Sequence, residues 1–244
     1  MSVHRSASCA AAMLLVAAAA PAGVDPGLVT APRMDFVPPA PGSYRLERIQ
    51  RVADAVLLDP GGRAVHLAAL TRGKVTVLTF FYASCSDPLG CPYAYGTLHR
   101  VRSMLRPRLA SPGQVRFVSV SLDPTHDTPE ALAAYAGALP KDPALEWDVL
   151  TMRSVKDLLP VLADFGQDVS VETDARGQPT RAMHHMLKMF LIDRVGEVRE
   201  IYSLAFLQPA VIANDISTLL LEGHAGGRRP GVGQGRTSGP AASR

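Results

Sequence analysis

Residues 75–92 read VTVLTFFYASCSDPLGCP, a strand-like run followed by a loop with two cysteines. Its first eight residues are β-branched, apolar or aromatic, which is typical of a central strand buried on both faces. A helical pattern follows from Tyr93 to about 106, with apolar residues recurring three positions apart. The stretch therefore predicts a buried strand, a loop that begins near Cys85, and a helix that begins near Cys91.

Strands and helices alternate outward from this stretch. A hairpin is predicted over 54–68, a second buried strand over 115–122, and a hairpin from strands 187–193 and 197–202. Helices are predicted after Asp127 or Thr128 as caps, over 154–165, and from Pro209 to Leu221. Pro160 predicts a kink or a late start in the second of these helices. The alternation predicts an α/β domain with helices on both faces of a central sheet.

The ends of the chain differ in composition from the domain between them. Residues 1–22 contain an Ala-rich apolar run that ends in Ala-Pro-Ala, which predicts a cleaved export signal, with a retained anchor as the alternative. Residues 23–43 are rich in Pro and Gly and predict a linker, 44–222 the folded domain, and 223–244 a disordered tail. The net charge of +3 gives no reason to expect a nucleic acid partner. We expect a periplasmic protein, or one anchored through its N-terminus and facing the periplasm.

Two cysteines remain after the predicted signal, and both lie where reactive thiols are found. Cys85 follows a buried strand and Cys91 begins a helix, so the helix dipole is expected to favour thiolates. Thiolates suit Cu(I), zinc or iron–sulfur clusters, but two of them exclude a four-cysteine site within one chain. His184 and His185 are the candidate third ligands. Strand alternation lets only one of them face the cysteines, placing His185 with Met189 and His184 with Lys188.

Three motifs resemble the SCO/SenC family of copper chaperones. They are VTVLTFFYASCSDPLGCP, VSVSLDPTHDTPEALAAYA and HMLKMFLIDRVGEV, which occur in the family's order over roughly 50–205. The resemblance implies a thioredoxin-like fold with a central mixed sheet. It also implies one copper ion, as Cu(I) or Cu(II), on Cys85, Cys91 and His185, and a role in building the copper centre of a respiratory oxidase. The family pattern has three residues between the cysteines, whereas this chain has five.

We therefore predict a metallochaperone that delivers copper to an exported or membrane protein such as an oxidase subunit. The rival is an enzyme, an exported thiol–disulfide oxidoreductase using Cys85 and Cys91. A structural disulfide is the third interpretation, although so short a loop would add little stability. We interpret Asp123 and Asp127 as residues that shape the turn and cap the helix; the alternative, which the resemblance implies, is that they are acidic residues next to the metal ligands. The three methionines around the histidines are interpreted as core filling, with a copper role as the lesser alternative: Met183, Met186 and Met189.

Overall fold

The computed structural model describes residues 34–137, 139 and 142–225. The strands are β1 Gln50–Arg51, β2 Val56–Leu58, β3 Ala64–His66, β4 Val75–Phe81, β5 Val115–Ser121, β6 Glu146–Leu150, β7 Val169–Thr173, β8 Pro179–His185, β9 Lys188–Ile192 and β10 Glu197–Ser203. The helices are α1 Leu67–Thr71, α2 Cys91–Leu105, α3 Pro129–Gly137, α4 Val155–Asp164 and α5 Pro209–Ala225.

Six strands form one mixed sheet in the order β1-β10-β9-β4-β5-β6. β4 lies inside it, parallel to β5 and antiparallel to β9, and all seven of its residues are buried. The continuous apolar run of β4 is thereby explained, because neither of its faces meets water. The predicted strands 115–122, 187–193 and 197–202 and the hairpin over 54–68 are confirmed as β5, β9, β10 and β2–β3.

Helices cover both faces of the sheet, as predicted. Leu78 and Phe80 of β4 pack in the hydrophobic cluster that includes α1, α3 and α4. Val75 and Val77 point the other way, into the cluster formed with α2 and α5. This alternation follows the two-residue period of a strand and buries both faces of β4.

Three pieces of β structure were not predicted from the sequence: the short strand β1, strand β6 and the β7–β8 hairpin. β6 reads EWDVL, and its acidic residues pair across to Arg116 on β5, with Arg116 Nε 3.3 Å from a carboxylate oxygen of Asp148. Charged residues are depleted in strands unless a cross-strand partner is present, and a pairing between strands cannot be seen in sequence order. β7 and β8 form a separate hairpin whose residues are largely exposed, so they lack an apolar alternation.

The expected late start of the helix over 154–165 is wrong. α4 begins at Val155, where Ser154 Oγ accepts a hydrogen bond of 3.2 Å from the N–H of Asp157. Pro160 lies inside the helix. A good N-cap thus fixes the start of the helix ahead of the proline.

The ends of the described chain pack on α5. The carbonyl of Pro39 accepts a hydrogen bond from Asn214, and the N–H of Gly42 donates to Thr218 Oγ1, both at 2.9 Å. These contacts tie the last part of the predicted linker to the domain. α5 runs to Ala225, past the predicted start of the tail at 223. The predicted signal and the rest of the tail lie outside the described residues, among which no helix has the length and apolarity needed to cross a membrane.

Candidate metal centre

Cys85 lies in the loop between β4 and α2, and Cys91 is the first residue of α2. The start of this loop is hydrogen-bonded to the buried carboxylate of Asp127. Asp127, 2% exposed, accepts hydrogen bonds from the N–H of Ala83 at 2.9 Å and from the hydroxyl of Ser121 at 2.6 Å. Thr128, not Asp127, caps α3, since Thr128 Oγ1 accepts from the N–H of Ala131 at 3.3 Å. Asp127 therefore joins the start of the cysteine loop to the end of β5.

The five residues between the cysteines fold back around the sulfur of Cys85. Asp87 starts the turn, with its carboxylate accepting from the N–H of Leu89 and its carbonyl accepting from the N–H of Gly90. A Cβ on Gly90 would lie 3.2 Å from Cys85 Sγ and 3.3 Å from the carbonyl oxygen of Asp87. Because Gly90 has no side chain, the backbone of the loop can approach the sulfur of Cys85. The five-residue loop therefore still brings Cys91 next to Cys85.

The two cysteines differ in protonation because one side chain donates a hydrogen bond to the sulfur of the other. The thiol of Cys91 donates to Cys85 Sγ, which also receives the backbone N–H groups of Cys91 and Asp87 and the Tyr82 hydroxyl, and the pKa of Cys85 falls to about 5. Donation to Cys85 and burial together raise the pKa of Cys91 above its ordinary value. The expectation that both are ionised near neutral pH is therefore corrected: Cys85 is the thiolate, and Cys91, 8% exposed, keeps its proton.

His185 lies at the end of β8 and lines the same cavity of about 710 Å³ as Cys85. Its Nδ1 is 3.3 Å from the carbonyl oxygen of Met186. A carbonyl only accepts, so Nδ1 carries the hydrogen and Nε2 keeps a free lone pair. Burial lowers the pKa of His185, which favours the neutral imidazole that a metal requires. The tautomer and charge of His185 are thus those of a metal ligand.

The prediction from strand alternation that His185 and Met189 face the same side is wrong. β8 ends at His185 and β9 begins at Lys188, so the alternation does not continue from one strand into the next. Met189 packs in the cluster with α2 and α5, whereas His185 lines the cavity beside Cys85. His184 lines the same cavity and is exposed.

The candidate ligands line one cavity without forming a closed set. Within the described residues, no three His, Cys, Asp or Glu side chains are close enough together to hold a metal ion. Cys85 and Cys91 are free cysteines joined by a hydrogen bond, and the rings of His185 and Tyr82 make a T-shaped contact with 6.3 Å between their centroids. The donor types fit a soft metal ion, and a three-coordinate site would require His185 to approach the cysteines.

Comparison with known proteins assigns the fold and the family. The profile of the SCO1/SenC family matches residues 50–221. The chain belongs to the SCO1/SenC family. Among solved structures, a SCO1/SenC lipoprotein of Bacillus anthracis is 26% identical with a TM-score of 0.57, and the match covers 70% of this chain and 95% of that one. ScoI of Bradyrhizobium japonicum, solved with copper bound, is 25% identical with a TM-score of 0.54 over 68% of this chain and 97% of that one. Comparison with curated proteins gave no match. The predicted thioredoxin-like fold is confirmed.

Two residues that shape the site of this SCO1/SenC protein, Tyr82 and Asp127, were not predicted from the sequence to do so. Tyr82 donates its hydroxyl to Cys85, accepts the N–H of Met183 at 3.4 Å and packs against His185. Its place as the last residue of the predicted strand, three residues before Cys85, was the available signal. Asp127 was interpreted as a cap, because its bond to Ala83 spans 44 positions of the chain.

Proposed function

We propose that this SCO1/SenC protein carries one copper ion on Cys85, Cys91 and His185 and delivers it to an exported or membrane protein, such as an oxidase subunit. The observation that carries the proposal is the pairing of a stabilised thiolate with a free imidazole nitrogen in one open cavity. Thiolate and imidazole are the ligands that copper prefers in proteins. The copper bound to the Bradyrhizobium relative supports the choice of metal.

Loading would proceed by ligand exchange with no change in the oxidation state of copper. Cys85 offers its thiolate directly, whereas Cys91 must release its proton to solvent as the copper–sulfur bond forms. His185 would supply the third ligand through Nε2. Because binding releases a proton, the apparent affinity for copper is expected to rise with pH.

Delivery needs a site that a partner can reach. Cys85 is only half-buried and lines the large open cavity, so a partner's sulfur or imidazole ligand can attack copper from that side. Cys91 is buried and would be the last ligand to leave. We place this exchange outside the cytoplasm on the strength of the export signal predicted in residues 1–22.

The proposal is tested by Cu(I) competition against a chelator, with the reduced, anaerobic full chain. We expect one tight equivalent and much weaker binding by His185→Ala. His66→Ala is the matched control, because His66 is an exposed histidine in the β2–β3 hairpin, away from the cavity. Equal binding by all three proteins would reject His185 as a ligand, and absence of tight binding would reject the copper function.

A redox function is the second candidate, and the asymmetry of the thiols favours it. Cys85 would attack a disulfide as the thiolate, and protonated Cys91 would resolve the mixed disulfide after losing its proton, leaving the substrate reduced and the pair oxidised. His185 has no part in this chemistry. A disulfide reduction assay in which His185→Ala keeps full activity, together with weak copper binding, would establish the redox function instead.

A further inference from the structure

Two side chains that carry donor atoms suited to metal ions line the cavity and have no role in the proposed ligand set. Met186 is 61% exposed, and His184 is exposed beside it. Both line the cavity that contains Cys85 and His185. His184 is the next-to-last residue of β8, and Met186 is the first residue of the link to β9, so the two donors flank His185 in the chain.

The backbone of Met186 is anchored beside His185. Its carbonyl accepts a hydrogen bond of 3.1 Å from Gln167 Nε2 and lies 3.3 Å from His185 Nδ1. Gln167 is 4% exposed and therefore fixed. Met186 thus lies on an anchored link between β8 and β9 with its side chain largely exposed to solvent.

The neighbouring methionines show that this exposure is particular to Met186. Met189 is 0% exposed and belongs to the core. Met183 is partly buried; it packs against the core and also lines the cavity. The interpretation as core filling is therefore confirmed for Met189 and wrong for Met186, whereas Met183 borders both the core and the cavity.

Thioether and imidazole are both ligands for Cu(I), and both are uncharged. A site built from them holds copper less firmly than thiolates do, since it lacks the negative charge that attracts the ion. Copper bound there would therefore pass on to Cys85. Both donors are more exposed than Cys85, which is half-buried in the same cavity.

We propose that His184 and Met186 form a receiving site that takes Cu(I) from its donor and passes it to Cys85, Cys91 and His185. The inference rests on the proposed function. Copper remains Cu(I) throughout, so no electron donor or acceptor is required. Its bonds to His184 and Met186 break as those to the two sulfurs and His185 form, and the proton of Cys91 goes to solvent.

The site is tested first without the cysteines. The full chain with Cys9→Ser, Cys85→Ser and Cys91→Ser is labelled with methyl-¹³C methionine and titrated with Ag(I), a redox-inert substitute for Cu(I). We expect the methyl resonance of Met186 to shift, and His184→Ala to abolish that shift. Met104, 37% exposed on α2, is an internal control that should not move. No shift at Met186, or equal shifts at Met186 and Met104, would overturn the proposal.

The transfer is tested by the rate at which the reduced full chain takes Cu(I) from a coloured chelator complex. We expect Met186→Leu and His184→Ala to slow uptake, and Met104→Leu to match the unsubstituted chain. If the unsubstituted chain takes up copper and neither substitution slows it, the receiving site is wrong and the copper function stands. If the unsubstituted chain takes up no copper, the copper function fails, and the Ag(I) titration still decides whether His184 and Met186 bind metal.

Discussion

Replacing Cys91 with alanine should raise the pKa of Cys85, because the thiol of Cys91 is the largest cause of its lowering. With a pKa of about 5, Cys85 is about 99% thiolate at pH 7, whereas a thiol at the ordinary value of 9.0 is about 1% thiolate. The thiolate fraction at pH 7 can therefore fall by up to about a hundredfold. Cys91→Ser keeps a hydrogen-bond donor and should cause a smaller change.

The assay is the pH dependence of alkylation by iodoacetamide from pH 4 to 9, with the modified cysteine identified by mass spectrometry. The midpoint is the measurement that matters, since a thiolate of higher pKa is intrinsically more nucleophilic and the plateau rate will rise in Cys91→Ala. A wild-type midpoint near 9, a midpoint unmoved by Cys91→Ala, or earlier alkylation of Cys91 would refute the hydrogen-bonded pair.

Three further results are expected. The free energy of unfolding of the reduced chain should rise from pH 5 to 9 relative to Cys85→Ser, because the unfolded thiol still holds its proton in that range; parallel pH profiles in urea denaturation would disprove this. Asp127→Ala should lower the free energy of unfolding by about 2–4 kcal/mol, since it removes two hydrogen bonds to a buried carboxylate, and a loss below about 1 kcal/mol would contradict that role. Gly90→Ala should shift the alkylation midpoint of Cys85, whereas Gly137→Ala, with open space at its Cβ, should leave it unchanged; equal midpoints in both variants would show that the loop does not pack on the sulfur.

The elements that could be predicted from the sequence are those whose own residues show a strand or helix pattern. β4 is a continuous apolar run because both of its faces are buried, and α2 has a clear helical period. β6 was missed because its acidic residues are unusual in a strand. They are stabilised there by ion pairs with Arg116, about 30 positions away on β5. β7 and β8 were missed because a largely exposed hairpin has no apolar period.

The candidate site was predictable in residue type and only partly in arrangement. The place of Cys85 after a buried strand and of Cys91 at a helix start follows directly from the sequence. The unequal protonation of the two thiols depends on which sulfur receives hydrogen bonds, and that is set by the fold of the intervening loop. Likewise, the sequence does not reveal the break between β8 and β9, which ends the strand alternation after His185.

The most direct test of the proposed copper centre is the X-ray absorption spectrum of the full chain loaded with one equivalent of Cu(I). We predict two sulfur neighbours and one imidazole nitrogen, with the imidazole signal lost in His185→Ala and one sulfur lost in Cys91→Ser. A spectrum without sulfur, or one that keeps its imidazole signal in His185→Ala, would contradict a centre formed by Cys85, Cys91 and His185.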